Sequence, residues 1–236
     1  YSFPQSVFAF LLFEASLVAI YFCPLADKLK LFFLVVVTVI LLPVLGSVNG
    51  YYLEVAIQVG IYIALALGLN IVVGFAGLLN LGFVAFYALG AYLWAIFGSA
   101  QANEFIAGGY FPLSAAWFFP FLFLAIAAGA LTGVVLGLPV LRLRGDYLAI
   151  VTLGFAEVIR ALLNNLDKPI NFTNGPRGIT PIQRPPLFFQ GLLEALGVKV
   201  EPAGVYPLYF YFLVLVLVAA VVLVSRRLED SAIGRA

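Results

Sequence analysis

Apolar runs close to the thickness of a bilayer recur along this chain, and they leave few choices for its fold. A membrane-spanning helix needs about 20 apolar residues, within a range of roughly 17–25. By that rule about seven segments qualify: Ser6–Phe22, Leu31–Leu45, Tyr52–Val73, Leu81–Phe97, Leu113–Leu141, Tyr147–Leu163 and Pro207–Val224. The second is short and interrupted by Pro43, and the fifth is long enough to tilt or overshoot. Of the 236 residues, 64% are hydrophobic and only 10% charged, against roughly 25% charged in soluble domains. The expected fold is an all-α integral membrane protein, a polytopic bundle of these segments forming one transmembrane domain over residues 1–236.

Three basic clusters border segment ends: Lys28/Lys30, Arg142/Arg144 and Arg226/Arg227. The positive-inside rule places all three in the cytoplasm, and a count of seven crossings satisfies each of them. Ala236 then lies inside. Residues 1–5 and the polar, Pro-rich stretch 164–206 lie outside. Within that external loop Leu187, Phe188, Leu192, Leu193 and Leu196 fall near helical spacing, which predicts a short interfacial helix. Asn174-Gly175-Pro176 reads as a turn. Asn171-Phe172-Thr173 matches a glycosylation sequon by a three-residue pattern too short to carry weight. Arg142, Arg144 and Asp146 around Gly145 suit a tight inner turn, as topology anchors or as a contact for a cytoplasmic partner.

Residue types narrow the chemistry. Net charge is +1, so no basic surface recruits nucleic acid. The chain has no histidine and a single cysteine, Cys23. That removes histidine acid–base chemistry, the usual zinc and haem ligation, and any intrachain disulfide. No catalytic or metal-binding residue is expected. There is no phosphate-binding G-x-x-x-x-G-K-[ST] loop, so ATP-driven work would need an ATPase on another chain. The chain starts at Tyr1 and contains no methionine, which reads as a fragment or an engineered version of a longer protein. The run Val7–Phe22 lacks the positive leading region of a signal peptide.

The stretch Gly68–Gly90, GLNIVVGFAGLLNLGFVAFYALG, stands apart from the other spans. It carries two amides, Asn70 and Asn80, and the glycines Gly74, Gly77 and Gly82 between Gly68 and Gly90. Buried amides in hydrocarbon are costly without partners, and glycines weaken a helix while letting backbones approach. Asn70, Gly74 and Gly77 share one helical face. Residues 74–82 separate two apolar spans without a charge or an aqueous loop. They form either a re-entrant, broken element lining a pathway or a tight turn at the inner surface, with helix packing as the plainer account of the glycines.

Two other patterns carry a structural and a functional reading each. Ala125, Gly129, Gly133 and Gly137 make a smooth stripe at every fourth position, which suits close helix packing and, in a functional version, a sliding surface. Glu157 and Arg160 at i, i+3 can pair. An intramembrane pair can be a gate or a solute contact, but a structural pair near the outer interface, with Arg160 snorkelling, weighs more.

Residues 65–92, LALGLNIVVGFAGLLNLGFVAFYALGAY, and 138–163, LPVLRLRGDYLAIVTLGFAEVIRALL, continued by Asn174-Gly175-Pro176-Arg177-Gly178-Ile179, resemble the LivM-type permease of branched-chain amino acid ABC transporters. The end, Arg226 to Ala236, resembles the start of that family's cytoplasmic loop. The likeness runs from about residue 52 to 236; residues 1–51 match only as generic membrane segments. The resemblance implies a bacterial plasma-membrane permease that pairs with a second, related permease subunit. Two cytoplasmic ATPases using ATP and Mg drive it, and an external solute-binding protein delivers leucine, isoleucine or valine. It further implies that the chain is incomplete at its C-terminus, with Ser231, Ile233, Gly234 and Arg235 approaching the ATPase contact. A urea or short-amide permease of a neighbouring branch is the alternative, and Asn80 keeps it open.

The candidate pathway residues are Asn70, Gly74, Gly77, Asn80 and Gly82, with Glu157 and Arg160 in second rank. A passive channel would want rings of charge or a repeated filter, for which one ion pair is a thin basis. An intramembrane enzyme would need a nucleophile or paired carboxylates. Asp146 and Glu157 are about three helical turns apart, too far for that work.

Overall fold

The computed structural model describes residues 15, 18, 22, 24, 26–48, 50–75, 77–78, 80–140, 146–187 and 202–229. Six long helices stand among them. Helix α1 runs from Asp27 through a π turn at Val37–Leu41 to Val48. Helix α2, Gly50–Asn70, ends in a second π turn, Ile71–Phe75. Then come α3, Phe83–Phe97; α4, Phe118–Val140; α5, Asp146–Asn165; and α6, Pro202–Glu229. Five of the six are long and apolar enough to cross a membrane, and α3 is shorter. They correspond to segments two to seven of the sequence reading. The first segment, the arginine turn at 142–145, the interfacial helix around Leu192 and the tail from Ser231 to Arg235 lie wholly or largely outside the described residues.

The chain divides into two compact units, residues 1–60 with 200–216, and residues 61–199 with 217–236. In the first, Leu53, Tyr211 and Val214 are buried. Its instructive feature is Pro43, which was expected to interrupt the second segment but sits inside α1. A proline in a helix lacks an N–H and clashes with the carbonyl four residues back. The π turn just before Pro43 changes the bonding register, so that Leu42 N–H bonds Val37 O, five residues back. In that register the carbonyl of Thr38 would look to residue 43, which is proline. The Tyr211 hydroxyl donates to it instead, at 2.6 Å, and the orphaned acceptor is satisfied.

In the second unit α3 packs on α4 and α5. Gly90 lies close to Ala125, while Trp94 and Phe97 meet Phe121, so α3 and α4 run antiparallel. Gly82 lies against Thr152 and Phe86 against Phe155, so α3 and α5 run parallel. These directions agree with the alternating crossings inferred from the basic clusters.

The expected external loop is ordered where it is described. Gln183 N–H donates to Gly98 O at 2.6 Å, Trp94 Nε1 donates to Gln183 O at 3.1 Å, and Gln101 Nε2 donates to Asn171 O at 2.7 Å. Phe105 stacks on Phe172 with centroids 4.6 Å apart. Asn174 takes a left-handed conformation, φ +59°, ahead of a 3₁₀ turn at Gly175–Arg177, as the turn signal suggested. The sequon threonine, Thr173, is buried and donates to Leu163 O at 2.7 Å, so the motif is part of the packing.

Candidate functional site

The break between α2 and α3 interrupts the helical backbone with neither a charge nor a long loop. After the π turn the chain passes through Gly77 at φ +64°, a conformation that favours glycine. Leu78 N–H returns to Val72 O at 3.2 Å. Asn80 Oδ1 then accepts from Gly82 N–H at 2.8 Å, and Leu81 N–H donates to Thr152 Oγ1 at 3.0 Å. A side chain on Gly82 has no room: a Cβ there would stand 2.5 Å from the Thr152 carbonyl oxygen. The break is therefore seated on α5 through backbone contact and one hydroxyl.

Its position along α5 follows from helix geometry. Thr152 is six residues beyond the start of α5, about 9 Å along the axis. Helix α3, with 15 residues, is about 22 Å long, short of a hydrocarbon core of about 30 Å.

A cavity of about 400 Å³ opens beside the break, lined by Val72, Asn80, Gly82 and Phe86, by Gly129, Gly133, Leu136 and Gly137 of α4, and by Val151, Thr152 and Phe155 of α5. The volume falls in the ~300–1,000 Å³ range of small-molecule sites. Among the described residues the lining holds no ionisable side chain. Its two polar side chains have different freedom. Thr152 Oγ1 accepts from Leu81 and donates back to Leu148 O or Ala149 O, both at 3.0 Å, so its one proton is committed within α5. Asn80 spends its oxygen on Gly82, which directs its amide nitrogen elsewhere as a hydrogen-bond donor. The arrangement can hold an apolar group against glycine and phenylalanine walls and offer one amide donor to a polar end. Binding and release is the chemistry these groups allow.

Of the residues singled out in the sequence, Asn80 and Gly82 line the cavity. Asn70, Gly74 and Gly77 do not: Asn70 lies over Gly74 on an exposed face of α2, and Gly77 is exposed. Glu157 and Arg160 pair at 3.5 Å on the exposed side of α5, away from Val151, Thr152 and Phe155. The α4 stripe divides. Ala125 is at the close approach to Gly90, whereas a Cβ on Gly129, Gly133 or Gly137 would meet nothing within 4 Å. Those three glycines are cavity wall. The sequence reading missed Thr152, Phe86 and Phe155. Their only signal was helical spacing on a common face of α5 for Thr152 and Phe155, which says nothing about what that face meets.

The family described as "Branched-chain amino acid transport system / permease component" matches residues 51–236. The chain belongs to this permease family. Two relatives are each named high-affinity branched-chain amino acid transport system permease protein LivM, from Salmonella typhimurium strain LT2 and Escherichia coli strain K12. Each is 40% identical to the permease over 195 residues, covering 78% of this chain and 42% of the relative. The permease thus spans less than half the length of the curated relatives it matches. No solved structure matches it. The match begins at residue 51, where the sequence likeness also became specific, and it contains the whole cavity. The permease is a multi-pass membrane protein.

Proposed function

We propose that this chain is the membrane permease subunit of an ATP-driven importer for leucine, isoleucine and valine, and that the cavity between α3, α4 and α5 is part of the solute's path. The observation that carries the reading is the pairing, among the described residues, of a glycine- and phenylalanine-walled cavity with one free amide donor, inside the stretch that the permease family matches. An aliphatic side chain suits the apolar wall, and the Asn80 amide suits a solute carboxylate. The relatives' printed names favour this solute class over urea or short amides. We further read residues 77–82 as a bend within the bilayer. Its seat about 9 Å along α5 and the shortness of α3 support that over a surface turn.

The partners in this reading are a second permease chain, two cytoplasmic ATPases carrying ATP and Mg, and an external solute-binding protein, in a bacterial plasma membrane. The residues from Ser231 to Arg235 would lead toward the ATPase contact.

Asn80→Asp tests the solute role. The carboxylate keeps the acceptor for the Gly82 N–H but replaces the amide donor with a second acceptor. In the reconstituted full-length complex, leucine uptake should fall about tenfold or more, the scale of losing a hydrogen bond to a charged group, with the variant's yield and thermal stability retained. Wild-type uptake by Asn80→Asp would remove Asn80 from the path.

A further inference from the structure

Threonines at three places in the long helices divide by what their hydroxyls do. Thr38 and Thr132 donate to a carbonyl one turn back, Leu34 O at 2.8 Å and Ala128 O at 2.7 Å, a local outlet open to any helical hydroxyl. Thr152 bonds its own helix in the same way, its proton shared between Leu148 O and Ala149 O. It also has a second task. Its oxygen receives the Leu81 N–H, 71 residues away in the chain, at 3.0 Å.

That second bond falls at the centre of the turn that holds Asn80. The Asn80 oxygen closes on the Gly82 N–H at 2.8 Å, as in an Asx turn. The peptide enclosed between them is the one joining Asn80 to Leu81. Its N–H is not used by the turn, so without Thr152 the whole planar unit is free to rotate, and the Asn80 side chain rotates with it. The other anchor of the amide, Gly82, lies against the Thr152 carbonyl, where a Cβ would stand 2.5 Å from the oxygen. Both points that orient the Asn80 amide, the 80–81 peptide and the Gly82 N–H, are therefore referenced to one residue of α5. Among the described residues, the other N–H bond of the break runs from Leu78 to Val72 O. It returns to the end of α2 and leaves the 80–82 turn to Thr152.

We propose that Thr152 is a positioning residue for Asn80: its hydroxyl and its carbonyl hold the 80–82 turn so that the amide donor stays at the cavity wall. The role rests on the reading of the cavity as part of the solute's path. Thr152 acts on the solute through Asn80. Because Thr152 belongs to α5, a shift of that helix moves the donor relative to the glycine wall of α4.

The test is a double-mutant cycle in the reconstituted full-length complex, with leucine uptake read per assembled complex at saturating loaded binding protein. Thr152→Val removes the acceptor and should lower uptake about fivefold, the scale of one hydrogen bond. Thr152→Ser keeps the hydroxyl and should restore uptake to within about twofold of the unsubstituted complex. In an Asn80→Asp background, where the donor is already gone, adding Thr152→Val should lower uptake by less than about twofold, because the two residues act as one unit. The same loss from Thr152→Val in both backgrounds, or a Thr152→Ser loss equal to that of Thr152→Val, would overturn the positioning role and leave Thr152 to packing. If Thr152→Val assembles poorly, Thr152→Cys takes its place in the cycle with the same outcomes, since a thiol is a weak acceptor. Undiminished uptake by Asn80→Asp sinks the solute-path reading and this role with it, whereas a defective Asn80→Asp with an additive Thr152→Val sinks the role alone.

Discussion

The two ends of the α3–α4 pair are built from opposite materials. At the end near the connecting loops Trp94 meets Phe118 and Phe121 with centroids 5.5 Å apart, and Phe97 meets Phe111 and Phe121. The loops are sewn over this plug by Gln183 and Gln101. At the opposite end the glycines Gly82, Gly129, Gly133 and Gly137 face one another's helices, and a cavity remains. Aromatic side chains fill the gap between two antiparallel helices and gain edge-to-face contacts as they do so. Glycines fill nothing, and at three of these positions no neighbour has moved in. One end is packed closed, and the other keeps an open space.

Three substitutions would break or sharpen that contrast. The largest effect is expected from Trp94→Ala at the plug, which removes two ring contacts and the donor to Gln183 O. It should cost about 3 kcal/mol, read as lost thermal or denaturant stability in detergent. A loss below about 1 kcal/mol would mean the aromatic end is not a packed plug. Next comes Thr152→Val at the border of the cavity. It preserves shape but strands the Leu81 N–H, so it should cost about 1 kcal/mol and raise hydrogen exchange at Leu81 and Gly82; unchanged exchange would show the break is held by other contacts. The smallest stability effect belongs to Gly133→Ala. Its new methyl meets only space, so stability should stay within about 0.5 kcal/mol of wild type. Uptake should nonetheless shift toward smaller solutes, with leucine losing more than valine. Equal loss of both, or a loss of stability matching that of Thr152→Val, would return the glycine to a packing role.

Much of this architecture was legible in the chain. The spans from Tyr52 onward, the alternating directions and the break near Gly74–Gly82 all follow from local hydropathy, glycine placement and basic flanks. Each of these acts within a few residues of where it is written. The site was legible in part. Asn80 and Gly82 stood out because an amide and a glycine in an apolar run are conspicuous by themselves. Gly129, Gly133 and Gly137 were visible as a stripe, but a stripe is compatible with a partner helix or with a void.

The sequence by itself determined that this protein lives in a membrane as a helical bundle, and its likeness over residues 52–236 pointed to the permease family. Only the tertiary structure decided which helix faces meet. It turned Thr152 and Phe155 toward the break and Glu157 and Arg160 away from it, and it left the α4 glycines facing space. The reason is range. Periodicity fixes which residues share a face, whereas what that face meets depends on contacts such as Leu81 to Thr152 and Gly90 to Ala125, between segments far apart along the chain.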